Sequence, residues 1–228
     1  MNIIYSCSRM LYPYLKPSIT SLLEHNKVTK IYILAEDDTI PVDIPAPHKI
    51  INVSGQEYYP AGGPNMGSEN YFTYMSMIRA CIPELIKANR VIMLDVDTII
   101  CDSLEPLWNI DLTDKWLAWC PENWGHWQPY NRMYYNFGVA VLNLQQMRKD
   151  KATQQIVERL NTKPYRFKEQ DVLNEIAVPD LCRDIPMRYN ECFCCGTTDN
   201  PAIVHFAGYA DWYRNPSLFR SEYFRKYL

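Results

Sequence analysis

Apolar residues recur along the chain in two alternating rhythms. Asn2 to Ser6 is a short run expected of a strand, and Leu15, Ile19, Leu22 and Leu23 then return at helical spacing. Lys30 to Ala35 and His48 to Val53 predict two further strands. Residues Gly55 to Gly67 hold four of the chain's 8 glycines and predict a loop, with Gly62-Gly63 as a candidate lid. Tyr71, Met75, Ile78, Ile82 and Leu85 form a helical stripe, which Pro83 divides by opening a second short helix. Arg90 to Leu94 is continuously apolar after its first residue, as in a strand covered on both faces.

The second half of the chain is mixed. Trp116 to Cys120, Val139 to Leu142 and Ala202 to Val204 predict strands. Ala152, Ile156 and Leu160 mark a helix capped by Asp150, and Val172, Leu173 and Ile176 mark another. Strand, helix and strand in this order predict one α/β domain, Rossmann-like, with right-handed crossovers, a mostly parallel central sheet and helices on both faces. No internal repeat or linker divides it.

Composition narrows the class. With 228 residues, 47% apolar and 21% charged, the chain has material for one sizeable core and is not a disordered or low-complexity sequence. Lys plus Arg is 23 against Asp plus Glu at 26, a net −3, which argues against nucleic acid as a partner. No run reaches the roughly 18 apolar residues of a spanning helix, and Met1 to Tyr5 predicts a strand rather than a signal peptide. Most of the 8 cysteines sit singly in apolar runs, so the expectation is a cytoplasmic, thiol-bearing protein.

The candidate chemistry centres on Leu94-Asp95-Val96-Asp97. Two residues apart in extended chain, Asp95 and Asp97 would project to one side, past the end of a buried strand, into the crevice where open α/β sheets bind ligands. Such a pair is a hard oxygen site for a divalent cation that in turn holds a diphosphate. With 14 Asp in 228 residues, about one Asp-x-Asp arises by chance, so the apolar strand before it carries the signal. A phosphohydrolase of the haloacid dehalogenase type fits the same tetrad, with Asp95 as nucleophile. It would need a downstream Lys and acidic pair, whereas the one adjacent Asp pair, Asp37-Asp38, lies upstream. His205, at the end of another apolar run, would supply an imidazole nitrogen, a set better suited to manganese than to calcium. Gly208 could let backbone approach a phosphate.

In these blocks the sequence resembles glycosyltransferase family 8, the family of glycogenin and of bacterial lipopolysaccharide galactosyl- and glucosyltransferases. The resemblance runs in order through Met1 to Asn26, Arg79 through Leu112, Tyr135-Asn136-Phe137-Gly138 through Leu144, Glu169-Gln170-Asp171-Val172-Leu173-Asn174 and His205-Phe206-Ala207-Gly208. It implies a GT-A fold, with a nucleotide-binding half at 1–112 and an acceptor-side half at 113–228. The implied reaction is retaining transfer of a hexose, glucose or galactose, from a UDP-sugar to a glycan, glycolipid or protein acceptor. The implied cofactor is Mn2+, or Mg2+ in its place, on Asp95, Asp97 and His205. Val96 and Arg79 match donor-holding positions, and Asn136 and Glu169 match donor-sugar contacts. Gln170 matches the residue beside the anomeric carbon, opposite the leaving group, and an amide there is a poor nucleophile. Acids at the start of a helix, as in Glu169 and Asp171, are also favoured simply by its dipole, by about 0.3–1 kcal/mol.

The chain departs from the family in two places. Ser6-Cys7-Ser8-Arg9 stands where a base-binding acid is usual, and Ser6 and Ser8 can still hydrogen-bond uracil. Asp211 stands where the family's diphosphate Lys is expected, with Arg214 as a substitute; a catalytically inactive sugar-nucleotide-binding relic is the corresponding alternative. Trp124, His126, Trp127, Tyr130, Tyr134 and Tyr135 suggest a sugar-stacking acceptor platform, against ordinary aromatic packing. Cys192-Phe193-Cys194-Cys195 forms no standard zinc knuckle, although Cys182 could complete a set. The basic and aromatic tail from Phe219 to Tyr227 offers either a peripheral contact with the inner membrane face or packing onto the domain.

Overall fold

The computed structural model describes residues 1–66, 74–123, 133–208 and 220–227. Its centre is a seven-stranded sheet in the order β3-β2-β1-β4-β7-β6-β8. The strands are β1 (Asn2–Cys7), β2 (Lys30–Ala35), β3 (His48–Asn52), β4 (Arg90–Leu94), β6 (Leu117–Pro121), β7 (Tyr135–Asn143) and β8 (Cys182–Asp184). The first four in spatial order are parallel, β7 runs antiparallel to β4 and β6, and β8 is parallel to β6. Beside this sheet, β5 (Thr98–Ile100) and β9 (Ile203–His205) form an antiparallel pair.

Alternation along the inner strands sends side chains to two cores. Ile4, Leu34, Val91 and Met93 face one side, where α2 (Tyr74–Met77), α3 (Ile82–Leu85), α6 (Ala152–Thr162) and α7 (Glu169–Ala177) pack. Ile3, Tyr5, Ile31 and Ile92 face the other, against α1 (Tyr12–His25) and α4 (Glu105–Trp108). Of the predicted α1 stripe, Leu23 is only partly buried, whereas Leu15, Ile19 and Leu22 point inward. All three are buried, each worth roughly 1.5–3 kcal/mol of transfer free energy. The sheet thus runs through both halves of the sequence, with helices on both faces.

The structure departs from the sequence expectations at several elements. The stripe from Tyr71 to Leu85 is broken among the described residues into α2, a 3-10 turn at Ile78–Cys81 and α3, with Pro83 in the first turn of α3 as its missing N–H requires. Asp150 does not cap α6. The cap position is Lys151, in a left-handed conformation, and Asp150 instead ends α5 (Leu144–Lys149) and accepts from Trp116 Nε1 at 2.7 Å. The loop around Gly62-Gly63 is tied down over its described part: buried Asn65 donates to the carbonyls of Leu160 (2.6 Å) and Lys163 (2.9 Å) beyond it.

Candidate active site

The strand order reverses between β1 and β4. The chain goes outward through β2 and β3, then returns to place β4 on the other side of β1. That is the crevice at which open α/β sheets take ligands. Tyr5 pairs with Leu94 in register, so Ser6, still within β1, and Asp95, just past β4, follow side by side. The Ser6 hydroxyl donates to the Met75 carbonyl at 2.6 Å, which leaves oxygen lone pairs on that side chain as acceptors. Ser8 stands at the entry to a 3-10 turn (Arg9–Leu11), with its side chain uncommitted to the cap.

Asp95, Val96 and Asp97 form a turn between β4 and β5 rather than the extended stretch that the spacing suggested. Three bonds stitch it in place. Asp95 N donates to Gly138 O at 2.7 Å, Thr98 Oγ1 to Asp95 O at 2.7 Å, and Phe206 N to Asp97 O at 2.9 Å. Because β5 pairs with β9, Thr98 lies opposite His205. His205 Nε2 is 3.4 Å from Asp97 Oδ1 and 3.8 Å from Asp95 Oδ2. The carboxylates and the imidazole offer one ligand atom each, all within 4.8 Å of one another, in the only such metal-ligand cluster among the described residues. Crowding by protein pushes the Asp95 carboxyl above its ordinary range, with Arg79 opposing and Asp97 reinforcing the shift. Burial alone would lower the His205 imidazole, but the Asp97 carboxylate lifts it well above its usual value. Two carboxylate oxygens and an imidazole nitrogen at this spacing are a donor set that could hold a divalent cation.

Arg79 joins this cluster to the start of α7. Its Nη1 donates to Asp95 Oδ1 at 2.5 Å, its Nε to Glu169 Oε1 at 2.8 Å, and its Nη2 also bonds Glu169. The guanidinium lies over the Phe137 ring at 5.1 Å. Glu169 is fully buried, and its second oxygen, Oε2, has no hydrogen-bond partner among the described residues. The amide of Gln170 is held at both ends: Oε1 accepts from Phe137 N at 2.8 Å and Nε2 donates to Tyr134 OH at 3.0 Å. Asp171 serves the helix start instead, accepting from Phe167 N at 2.8 Å and from Tyr134 OH at 2.6 Å.

Asn136, within β7, is buried beside these groups, with Nδ2 3.4 Å from Glu122 Oε1. Gly208 is exposed at φ +83°, and a Cβ there would meet nothing within 4 Å, so its backbone conformation, not space, calls for glycine. Asp211 and Arg214 lie outside the described residues, as do Trp124, His126, Trp127 and Tyr130. Tyr134 and Tyr135, by contrast, are buried. Tyr135 stacks on Trp119 at 5.1 Å and donates to Asp184, and Tyr134 bonds Gln170 and Asp171, so neither ring is exposed as a sugar platform.

The cysteines are all free thiols. Cys182 packs in the core on one side of the sheet while Cys192 and Cys195 pack on the other, so it cannot complete their set. In the tail, Arg220 pairs with buried Glu191, Phe224 is buried, and Lys226 and Tyr227 bond Glu24, so these residues face the protein. Phe219 lies outside the described residues. No described helix is long and apolar enough to cross a membrane.

Two contributors escaped the sequence reading. Gly138 lies within a quoted block, yet its role is spatial: a Cβ there would stand 2.0 Å from His205 Cε1. Asn190, fully buried, accepts from His205 Nδ1 at 2.7 Å, and no local pattern marks it.

The sequence matches the family model described as glycosyl transferase family 8 over residues 2–212. Glycosyltransferase GlyD of Streptococcus pneumoniae is 26% identical over 235 residues, covering 91% of this chain and 28% of its own length. General stress protein A of Bacillus subtilis is 26% identical over 192 residues, covering 68% of this chain and 65% of its own. The chain therefore spans less than two thirds of these relatives. Among solved structures, the galactosyltransferase LgtC in complex with donor and acceptor sugar analogues superposes with a TM-score of 0.75 at 19% identity, over 99% of this chain and 94% of that one. The glycosyltransferase GlyE of Streptococcus pneumoniae gives 0.76 at 18%, over 99% and 59%. At these identities the likeness speaks to the fold, which is GT-A.

Proposed function

Because the chain belongs to glycosyl transferase family 8, we propose that it is a metal-dependent retaining glycosyltransferase that moves a hexose from a UDP-sugar to a glycan, glycolipid or protein acceptor. One observation carries this reading: His205, distant in sequence, converges with Asp95 and Asp97 at the strand-order reversal, and Arg79 bridges Asp95 to Glu169. The family match leaves the phosphohydrolase reading without support, and Asp95 Oδ1 is already engaged by Arg79.

Asp95, Asp97 and His205 Nε2 would hold Mn2+, which when bound offsets the charge of the departing diphosphate as a Lewis acid. Ser6, Ser8 and the Val96 backbone would bind the nucleoside at the adjoining end of the crevice. Glu169 Oε2 and Asn136 would accept from and donate to hydroxyls of the donor sugar. Gln170 cannot act as a ready nucleophile, since its carbonyl oxygen is held by a backbone N–H and its nitrogen by a tyrosine hydroxyl. The expected course is attack by the acceptor on the face from which UDP departs. The acceptor proton would pass to the leaving phosphate oxygen, and the fixed Gln170 dipole would support positive charge at the anomeric carbon.

The test is UDP release from a panel of UDP-sugars with Mn2+, with a chelator and Asp97→Asn as controls. Release from one sugar, lost on chelation and reduced at least about 100-fold in D97N, is the expected result. Release that survives both controls would overturn the metal assignment, and a protein that binds no UDP would overturn the donor assignment.

A further inference from the structure

Around His205 the identities of donors and acceptors follow from one backbone atom. Gly138 N can only donate, and it donates to Asn136 Oδ1 at 2.9 Å. This puts oxygen at that end of the Asn136 amide. The Asn190 atom facing it at 3.0 Å must then be nitrogen, and Asn190 turns its oxygen towards His205 Nδ1 at 2.7 Å. Nδ1 therefore carries the hydrogen, and in the neutral ring the bare nitrogen is Nε2, the one that faces Asp95 and Asp97.

Packing confines the ring on the Gly138 side. The ring of His205 occupies the space that a side chain at Gly138 would need. The backbone of the Asn190 segment is locked to β9, with Glu191 N donating to Ile203 O and His205 N to Glu191 O. Asn190 is itself fixed by Asn190 N on Met187 O at 2.8 Å, at the end of a 3-10 turn (Met187–Tyr189).

We propose that Asn190 is a positioning residue: it holds His205 in the tautomer that presents a bare Nε2 to a divalent cation, and it couples that ligand to the orientation of Asn136. The inference rests on the metal-site reading above. A group that fixes the far nitrogen of a metal-binding histidine typically changes metal affinity by 10- to 100-fold, and its other hydrogen bond here reaches the residue assigned to the donor sugar.

Mn2+ affinity, followed by the electron paramagnetic resonance signal of free Mn2+, separates this role from a merely structural one. Asn190→Ala is expected to raise the Mn2+ Kd by about 10- to 100-fold while the protein still shows a cooperative thermal transition. Asn190→Asp keeps an acceptor for Nδ1–H but cannot donate to Asn136. It should return the Mn2+ Kd to within a few fold of wild type while leaving the KM for the UDP-sugar raised. A folded N190A with wild-type Mn2+ affinity would overturn the inference, as would an N190D that loses Mn2+ tenfold or more. If N190A does not fold, N190D decides alone. A wild type that leaves the Mn2+ signal unchanged would overturn the metal reading itself, and this inference with it.

Discussion

Glu169 keeps an acidic side chain in a place that disfavours its charge. Burial pushes its carboxyl up to about 7, and the Arg79 guanidinium only partly offsets this. The folded protein therefore holds this proton more tightly than the unfolded chain, whose carboxyl titrates near 4.5. The group's contribution to stability is complete below the unfolded value and is lost as pH rises through 7. In metal-free protein, wild type should lose on the order of 2–3 kcal/mol relative to Glu169→Gln between those limits. Urea midpoints of the two proteins across that window check this, and a difference independent of pH would remove Glu169 as the cause. At this scale the candidate ligands were legible because Asp95 and His205 each follow an apolar run, with Asp97 two residues beyond the first, which is a local signal. Asn190 and Gly138 were not, since their roles exist only once β7, β9 and the segment between Met187 and Glu191 are brought together.

Elements were legible where burial on both faces forces a continuous apolar run, as in β1, β2 and β4. Their ends were less so, because tertiary partners set them. The strand expected at Val139 to Leu142 extends over Tyr135–Asn143, since β6 and α7 supply partners beyond the apolar run, including Asn174 on Tyr135 N. Likewise the Asp95-Val96-Asp97 stretch turns rather than extends, held by β7 on one side and by Phe206 on the other. Asp150 shows the same competition between local and tertiary bonds. A capping acid was expected for α6, but its carboxylate instead accepts from Trp116 Nε1 (2.7 Å) and Gln146 Nε2 (2.8 Å), fastening the end of α5 to the start of β6. Asp150→Ala would leave the N–H of a buried indole without a partner and should cost about 1–3 kcal/mol. Chemical denaturation would register this as a lower midpoint at an unchanged slope. An effect of a few tenths of a kcal/mol would instead fit an ordinary exposed cap.

Across the whole molecule, the same strand-order reversal that organises the sheet also brings its chemistry together. Asp95 and Asp97 come from the end of β4, His205 from β9 in the small second sheet, and Glu169 from α7. Sequence order fixed the parallel sheet, but it did not show that the tail would close the back of the site. There α8 (Ser221–Arg225) sets Phe224 edge-on to Phe206 at 6.2 Å, in a cluster with Ile99 and Val204. Phe206 is the residue after His205, and its N–H is the donor that anchors Asp97. The tail thus supports both the strand that carries the imidazole and the turn that carries the carboxylates. Phe224→Ala removes a buried ring and should cost about 3–5 kcal/mol, whereas Phe224→Leu refills part of the space and should cost less. If the tail buttresses the site, F224A should also weaken Mn2+ binding at temperatures where the rest of the protein remains folded. If instead the tail is peripheral, F224A would bind Mn2+ as wild type does and lose less than about 1 kcal/mol in urea. Such a result would free the basic and aromatic residues of α8 for an outside partner.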